Sequence, residues 1–186
     1  MIFLCDNYHQ ASKDLAYTLQ VAGCDATTVV INPDGFLPKG TLSPFTYYVE
    51  DQDETGKPRF FNQVPVPAFW EISGNNQVAQ VSNLTEERAR ITFPEGSKAR
   101  IVKSVEWLDK SGKVRQVDHY NKYGFCFAKT THDENGQPVF TSYQTKEGDE
   151  RILENHGTGD ILLTLPGQSL RRFANRTEFI KAFLEI

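Results

Sequence analysis

The sequence predicts an α+β chain that is mostly β: a short βαβ start, an extended antiparallel β-meander inserted after it, and a returning C-terminal helix. Three observations predict it. A β-branched apolar run, Thr27-Thr-Val-Val-Ile, follows a helical apolar stripe. From about residue 45 to 165, short apolar runs are then separated by Gly-containing turns at regular spacing. Finally, an N-cap signal at Asn175 opens a second helical stripe that runs to the last residue.

Taken in order, residues 2–5 predict a short buried strand. Residues 10–22 predict a helix on the stripe Ala11, Leu15, Leu19 and Ala22, ended at Gly23. Residues 27–31 predict a buried strand, so strand, helix and strand begin a parallel α/β layer. Asn32-Pro-Asp-Gly and Leu37-Pro-Lys-Gly then break the chain. Strands are predicted at 60–63, 68–73, 77–83, 88–93, 101–108, 114–120, 125–130, 139–144, 151–154 and 159–165. In the fourth of these, Ala89, Ile91 and Phe93 alternate with Arg88, Arg90 and Thr92, one face buried and one wet. The turns Asp109-Lys-Ser-Gly, Lys122-Tyr-Gly, Asp133-Glu-Asn-Gly and Lys146-Glu-Gly supply the positive φ of tight hairpins, with no strict internal repeat. The acidic run Glu50-Asp-Gln-Asp-Glu reads as a solvated loop. Asn175 caps the last helix, with Glu178 three residues on and Phe179, Ile180, Phe183 and Leu184 as its apolar face; no C-cap signal follows, as in a chain cut from a longer one.

Composition narrows the function. With 39% hydrophobic and 24% charged residues, 186 residues bury an ordinary globular core. A net charge of -4 offers no general attraction to phosphate backbones, so nucleic acid is not an expected partner. Cys5, Cys24 and Cys126 lack metal or redox spacing and read as free thiols of a reducing compartment. The five-residue apolar start has no basic leader, and no stretch is long enough to span a membrane. The common cofactor and nucleophile signatures are absent, so no cofactor is expected.

The four histidines, His9, His119, His132 and His156, lie far apart in sequence and predict no metal site. Asp118 and His119, adjacent in a strand, point to opposite faces and form no relay. Glu71, Asp118 and Glu154 sit inside strands, where a carboxylate most often pairs with a neighbouring cation. Phe125, Phe127, Phe140 and Tyr143 read as packing. Trp70, beside a loop holding Asn75 and Asn76, offers a flat apolar face and amide hydrogen bonds of the kind that recognise peptides and sugars. Together these features predict a binding chain without a complete active site.

Several stretches carry a resemblance: Asp34-Gly-Phe-Leu-Pro, Ser43-Pro-Phe-Thr-Tyr, Phe61-Asn-Gln-Val-Pro-Val-Pro-Ala-Phe-Trp-Glu-Ile-Ser-Gly-Asn-Asn, Val105-Glu-Trp-Leu-Asp, Asp118-His-Tyr-Asn-Lys-Tyr-Gly and Glu154-Asn-His-Gly-Thr-Gly-Asp-Ile-Leu-Leu. In this order they resemble the N-terminal part of the glycosyltransferase-stabilising proteins of the accessory Sec system, the GtfB family. The resemblance implies a truncated GT-B-like protein. Residues 1–43 would begin an N-terminal Rossmann-like half, 44–166 would form a β-sheet add-on domain, and 167–186 would return to the Rossmann-like half. It implies no transferase activity, and no catalytic residue carries over. The expected role is a stabilising, co-activating subunit that binds a catalytic glycosyltransferase homologue and a Ser/Thr-rich adhesin acceptor, the target of O-linked N-acetylglucosamine. The alternative is the acceptor-binding domain of an active GT-B enzyme. The expected location is cytoplasmic, peripheral at the inner face of the membrane, with homodimerisation through sheet edges open to the fold. The candidate partner- or acceptor-binding residues are Trp70, Asn75, Asn76, Trp107, His119, Tyr120 and Tyr123.

Overall fold

The computed structural model describes residues 1–50, 54–97 and 99–186; residues 51–53, inside the acidic run, fall outside it. The chain opens with β1 (Ile2–Cys5), α1 (Gln10–Val21) and β2 (Thr27–Val30), and β1 pairs β2 in parallel with Ile2 opposite Thr27. The expected helix is present but turned. Ser12 is buried and Ala16 and Leu19 half-buried, whereas Leu15, Tyr17 and Val21 are exposed. Spacing gives a stripe its period; what packs against it selects the face.

After α2 (Pro44–Tyr47), one ten-stranded antiparallel sheet takes up the chain. Its strands are β3 (Glu71–Gly74), β4 (Ala79–Asn83), β5 (Glu86–Thr92), β6 (Ser104–Leu108), β7 (Val114–Tyr120), β8 (Cys126–His132), β9 (Pro138–Gln144), β10 (Glu150–Asn155), β11 (Ile161–Leu163) and β12 (Arg171–Phe173). Their spatial order is their chain order, so β3 and β12 are the two edges. The chain closes with α3 (Arg176–Leu184). Asn175 Oδ1 accepts from the Glu178 N–H at 3.0 Å and Glu178 Oε2 accepts from the Ala174 N–H at 2.9 Å, so both ends of the cap signal are used.

Local sequence missed three elements. Residues 60–63 form not a strand but a 3₁₀ turn, Phe61–Gln63, in which Gln63 Oε1 accepts from the Phe60 N–H at 3.0 Å; only an isolated antiparallel bridge, Phe60 to Ile101, remains of the expected pairing. Helix α2 was not expected, although Ser43-Pro44, an N-cap residue type followed by proline at the first helical position, is a signal for it. Strand β12 has only three residues, two of them arginine, and carries no apolar period.

A repeat is present in the turns, where none was expected. Gly112, Gly124, Gly136 and Gly148 recur every twelve residues, all in the left-handed region at φ 79–92°. Three positions before each stand Asp109, Asn121, Asp133 and Thr145. Each accepts the glycine N–H on its carbonyl at 3.0–3.1 Å and holds a later backbone N–H with its side-chain oxygen. The intervening strands do not repeat because their surroundings differ, which hides the period from a search for similarity.

The sheet buries opposite faces at its two ends. On one face, here the front, Val81, Ala89, Ile91 and Val105 pack with Phe61, Val64 and Val102 from the connecting segments. On the other face, the back, Tyr143, Ile152, Ile161, Leu163 and Phe173 pack beneath Phe45 of α2 and Phe179 of α3. The switch occurs at β7 and β8, which are covered in part on both sides. Phe140, expected in the core, therefore lies on the open front of β9, 39% exposed, opposite Thr131.

Candidate functional site

Strands β7 and β8 place the candidate residues on two faces. Trp107 of β6 stands opposite Gln116, and Asp118 opposite Lys129, all on the front. Asp118 is nearly buried, accepting from Trp107 Nε1 at 2.8 Å and from Gln116 Nε2 at 2.6 Å. The strand carboxylate thus fixes an indole rather than pairing with a cation. A bulge between His119 and Tyr120 brings Tyr120 beside Cys126 on the same face, where burial pushes both the phenol and the thiol up to about 12. The Arg59 guanidinium lies 5.3 Å from the Tyr120 ring centroid and donates to the Gly124 and Gln63 carbonyls. Trp107, Tyr120, Arg59, Lys129, Gln144 and Lys146 line one cleft of about 330 Å³. Its chemistry is aromatic surface rimmed by cations, suited to gripping an extended polypeptide rather than activating a bond.

The two described ends of the acidic run, Glu50 and Glu54, are both partnered and half-buried. Glu54 pairs with Lys146 at 2.7 Å, and Glu50 accepts from Asn121 Nδ2 at 2.9 Å, with burial raising its pKa above the ordinary carboxylate value. Tyr123 sits in the β7–β8 turn, half-buried against the back-face core, with Lys122 Nζ 5.2 Å from its ring.

The Trp70 segment is a separate place at the sheet edge. Trp70 packs on the front-face core beneath the Arg88 guanidinium, 5.8 Å away. Asn75 Oδ1 accepts from the Gln77 and Val78 N–H groups at 2.8 and 3.1 Å, and Asn76 Oδ1 accepts from Arg100 at 2.8 Å. Both side-chain carbonyls are spent building the β3–β4 turn and its anchor. Phe69 beside them is 96% exposed at φ 70°.

His119 points to the back, as alternation requires, and there lies an arrangement the sequence concealed. His119 Nε2 meets Thr130 Oγ1 at 3.0 Å; Thr130 Oγ1 meets Thr141 Oγ1 at 3.0 Å; Thr141 Oγ1 meets His156 Nε2 at 2.8 Å. One hydrogen-bonded chain crosses β7, β8 and β9 to the turn after β10. It lines a cavity of about 330 Å³ together with His132, so three histidines that are distant in sequence converge. Among the described residues no group of three His, Cys, Asp or Glu side chains is placed to hold a metal ion. The one available sequence signal was register: His119, Thr130 and Thr141 are cross-strand neighbours only when the hairpin turns fix the pairing.

Burial pushes the His119 imidazole down to about 4; the Asp118 carboxylate opposes this and the His132 and Lys103 charges add to it. Below its ordinary value of 6.5 the unfolded chain binds a proton that the folded chain does not. Stability is therefore complete above pH 6.5 and falls as the pH drops from there towards 4, by up to about 3 kcal/mol. Urea unfolding of the wild type and of His119→Gln across that window measures it: the variant's profile is expected to be flatter, and parallel profiles would contradict the assignment.

Residues 70–174 match the family description "GtfB middle domain" and residues 2–48 match "GtfB N-terminal domain". Over its full length the chain is 56% identical to the UDP-N-acetylglucosamine–peptide N-acetylglucosaminyltransferase stabilizing protein GtfB of Streptococcus pneumoniae and 51% identical to that of Streptococcus gordonii, spanning 41% of each. It superposes with a TM-score of 0.95, at 50% identity, on a chain of the crystal structure of a GtfA/B complex bound to UDP and GlcNAc, covering all of this chain and 42% of that one.

Proposed function

Because the chain belongs to the GtfB family, we propose that it serves as the recognition part of a non-catalytic stabilising subunit of a polypeptide O-N-acetylglucosaminyltransferase. In this role it binds the catalytic homologue and a Ser/Thr-rich adhesin acceptor. The observation that carries this reading is the end-to-end likeness, at 56% and 51% identity, to proteins named as stabilising that transferase. The same names favour it over an acceptor domain of an active enzyme.

The physical features support a binding role. A ten-stranded meander leaves the β3 edge open and presents a cleft of aromatic and cationic groups on its front. Trp107 belongs to the front surface proposed for the partner, with the buried Tyr120 as the floor of its cleft, while Tyr123 lies in the β7–β8 turn against the back-face core. Trp70, Asn75 and Asn76 belong to the edge, and His119 to the back. A flexible, weakly hydrophobic acceptor pays about 1–2 kcal/mol of backbone entropy per ordered residue, so its contacts must be many and individually weak.

The fold reading completes the proposal. The βαβ unit of residues 1–43 is taken as the start of a Rossmann-like layer, 44–166 as the add-on domain and 167–186 as the return, with β12 extending the sheet past residue 166. Ile2 and Leu4 of β1 and Leu15, Tyr17 and Val21 of α1 are exposed, as in a layer that further chain would cover. Location at the inner face of the membrane would come through the assembly; no described helix is long and apolar enough to cross a membrane.

Co-purification tests the reading. The catalytic homologue is expected to be retained by the wild-type chain, and Lys129→Glu in the front cleft is expected to weaken retention about tenfold, or 1.4 kcal/mol. Glu106→Lys, whose residue faces the back beside Arg90, is the control that should leave it unchanged. Failure of the wild type to retain the homologue would refute the proposal.

A further inference from the structure

The front cleft reverses the charge of the chain around it. Arg59, Lys129 and Lys146 line it against one carboxylate, Asp118, in a chain whose net charge is -4. Asp118 is already engaged: one oxygen accepts from Trp107 Nε1 at 2.8 Å and the other from Gln116 Nε2 at 2.6 Å. Lys129 stands opposite Asp118 in the β7–β8 ladder and makes no ion pair among the described residues. Arg59 donates from Nε and Nη1 to the Gly124 and Gln63 carbonyls, at 3.0 and 2.8 Å, and among the described residues its Nη2 has no acceptor. Cations with donors to spare, gathered in a partly enclosed cleft, favour a carboxylate more than the same groups would in open water.

The third cation is met from within the chain. Residues 54–60 form a strap that leads from α2, packed on the back face, to Phe61, packed on the front. Lys146 Nζ, in the β9–β10 turn, donates to Glu54 Oε1 at 2.7 Å and to the Thr55 carbonyl at 3.5 Å, both on that strap. The Lys146 side chain is 48% exposed. An ion pair so open to water holds the fold only weakly, so a competing carboxylate displaces it at small cost. The rest of the strap stays in place when it does, because Gly56 and Lys57 cross the β7–β8 turn at Tyr123 and Gly124 with no room for a methyl group.

We propose that the front cleft takes an acidic segment of a partner polypeptide, and that Glu54 is its internal competitor, an autoinhibitory contact that the segment's carboxylate displaces from Lys146. The inference rests on the reading of this cleft as a surface that grips a polypeptide, and it names the chemistry the cleft selects. Aspartate or glutamate side chains would meet Lys129 and Arg59, with their methylene groups against the Trp107 indole. A volume of about 330 Å³ admits one or two side chains of an extended segment. A neutral Ser/Thr-rich chain offers no carboxylate to compete with Glu54, so the occupant differs in kind from the unmodified acceptor.

Titration of the labelled chain with a short oligoglutamate at low salt, followed by NMR, tests it, with oligolysine, a neutral Ser/Thr peptide and a single-stranded oligonucleotide as comparison probes. Saturable shifts are expected at Lys129, Lys146, Glu54, Thr55 and the Trp107 indole, with binding weakened as salt rises to about 0.15 M. Glu54→Gln should tighten binding about two- to fivefold, or about 0.4–1 kcal/mol, the range of an exposed ion pair. Glu185→Gln removes the same charge at the exposed end of α3 and should leave binding unchanged. Lys129→Gln should weaken it about fivefold or more. Equal tightening by the two glutamate changes would overturn the proposal, because net charge alone would then explain it. So would tighter binding of any comparison probe, or no shift at these residues up to about 10 mM oligoglutamate. Retention of the catalytic homologue is scored separately. A chain that retains the homologue but ignores oligoglutamate fails this inference alone; a chain that takes oligoglutamate but not the homologue fails the earlier reading alone.

Discussion

Arg176→Ala is expected to destabilise the chain by about 3 kcal/mol, lowering its melting temperature by roughly 6–12 °C. Glu154 is 3% exposed in the middle of β10. Its carboxylate is met by Arg176 from Nε and from Nη2 at 2.9 Å, and by the Tyr143 hydroxyl at 3.3 Å. Removing the arginine leaves a buried charge with one phenol. The Arg176 side chain is itself 38% exposed, which sets the expectation at the lower end of the about 3–5 kcal/mol seen when buried pairs are broken. The double change Glu154→Gln with Arg176→Met should cost less than Arg176→Ala alone, because no unpaired charge remains. Calorimetry of the three variants decides it; a shift below about 2 °C for Arg176→Ala would show that water reaches the carboxylate. The consequence reaches beyond stability. Arg176 also holds Asn32 and lies 5.2 Å from the Phe45 ring, so one guanidinium ties the βαβ start, α2, α3 and the sheet together.

Gly124→Ala is expected to cost more than twice as much as Gly112→Ala. Both glycines close equivalent hairpin turns, at φ 89° and 79°, where any L side chain pays about 1–2 kcal/mol. A Cβ at Gly112 meets nothing within 4 Å, but at Gly124 it would stand 2.3 Å from the Lys57 carbonyl oxygen, and at Gly56 the same distance from the Tyr123 oxygen. Two backbones cross here with no room for a methyl group, and neither can give as a flexible side chain would. The change should also loosen Arg59, which donates to the Gly124 carbonyl at 3.0 Å at the mouth of the front cleft. Chemical denaturation of the two variants gives the comparison; equal losses would mean that the crossing opens readily.

The hairpins were the most legible part of the chain because their causes are local. Asp109, Asn121, Asp133 and Thr145 bond to backbone within a few residues, and a glycine three positions on takes the left-handed conformation. Strand β7 was legible for the same reason, flanked by two such turns. Helix α1 was legible in extent but not in orientation, since Ala11 and Leu15 are as apolar as the Ala16 and Leu19 that pack. Of the site, adjacency already separated Asp118 from His119. It could not show that Trp107 is held by Asp118, across an 11-residue interval, or that Asn75 spends its carbonyl on its own turn.

By itself the sequence determined most of the succession of elements, apart from the turn at 61–63, α2 and β12, together with the alternation within the strands and the turn chemistry, all set by interactions spanning a few residues. Only the tertiary structure decided which face of the sheet is buried at each end, because that depends on whether residues 61–64 or the helices α2 and α3 arrive to cover it. It also decided that His119, His132 and His156 share a cavity and that Arg176 meets Glu154: these contacts form between elements brought together by packing, and packing energy is a property of the pair that no single segment carries.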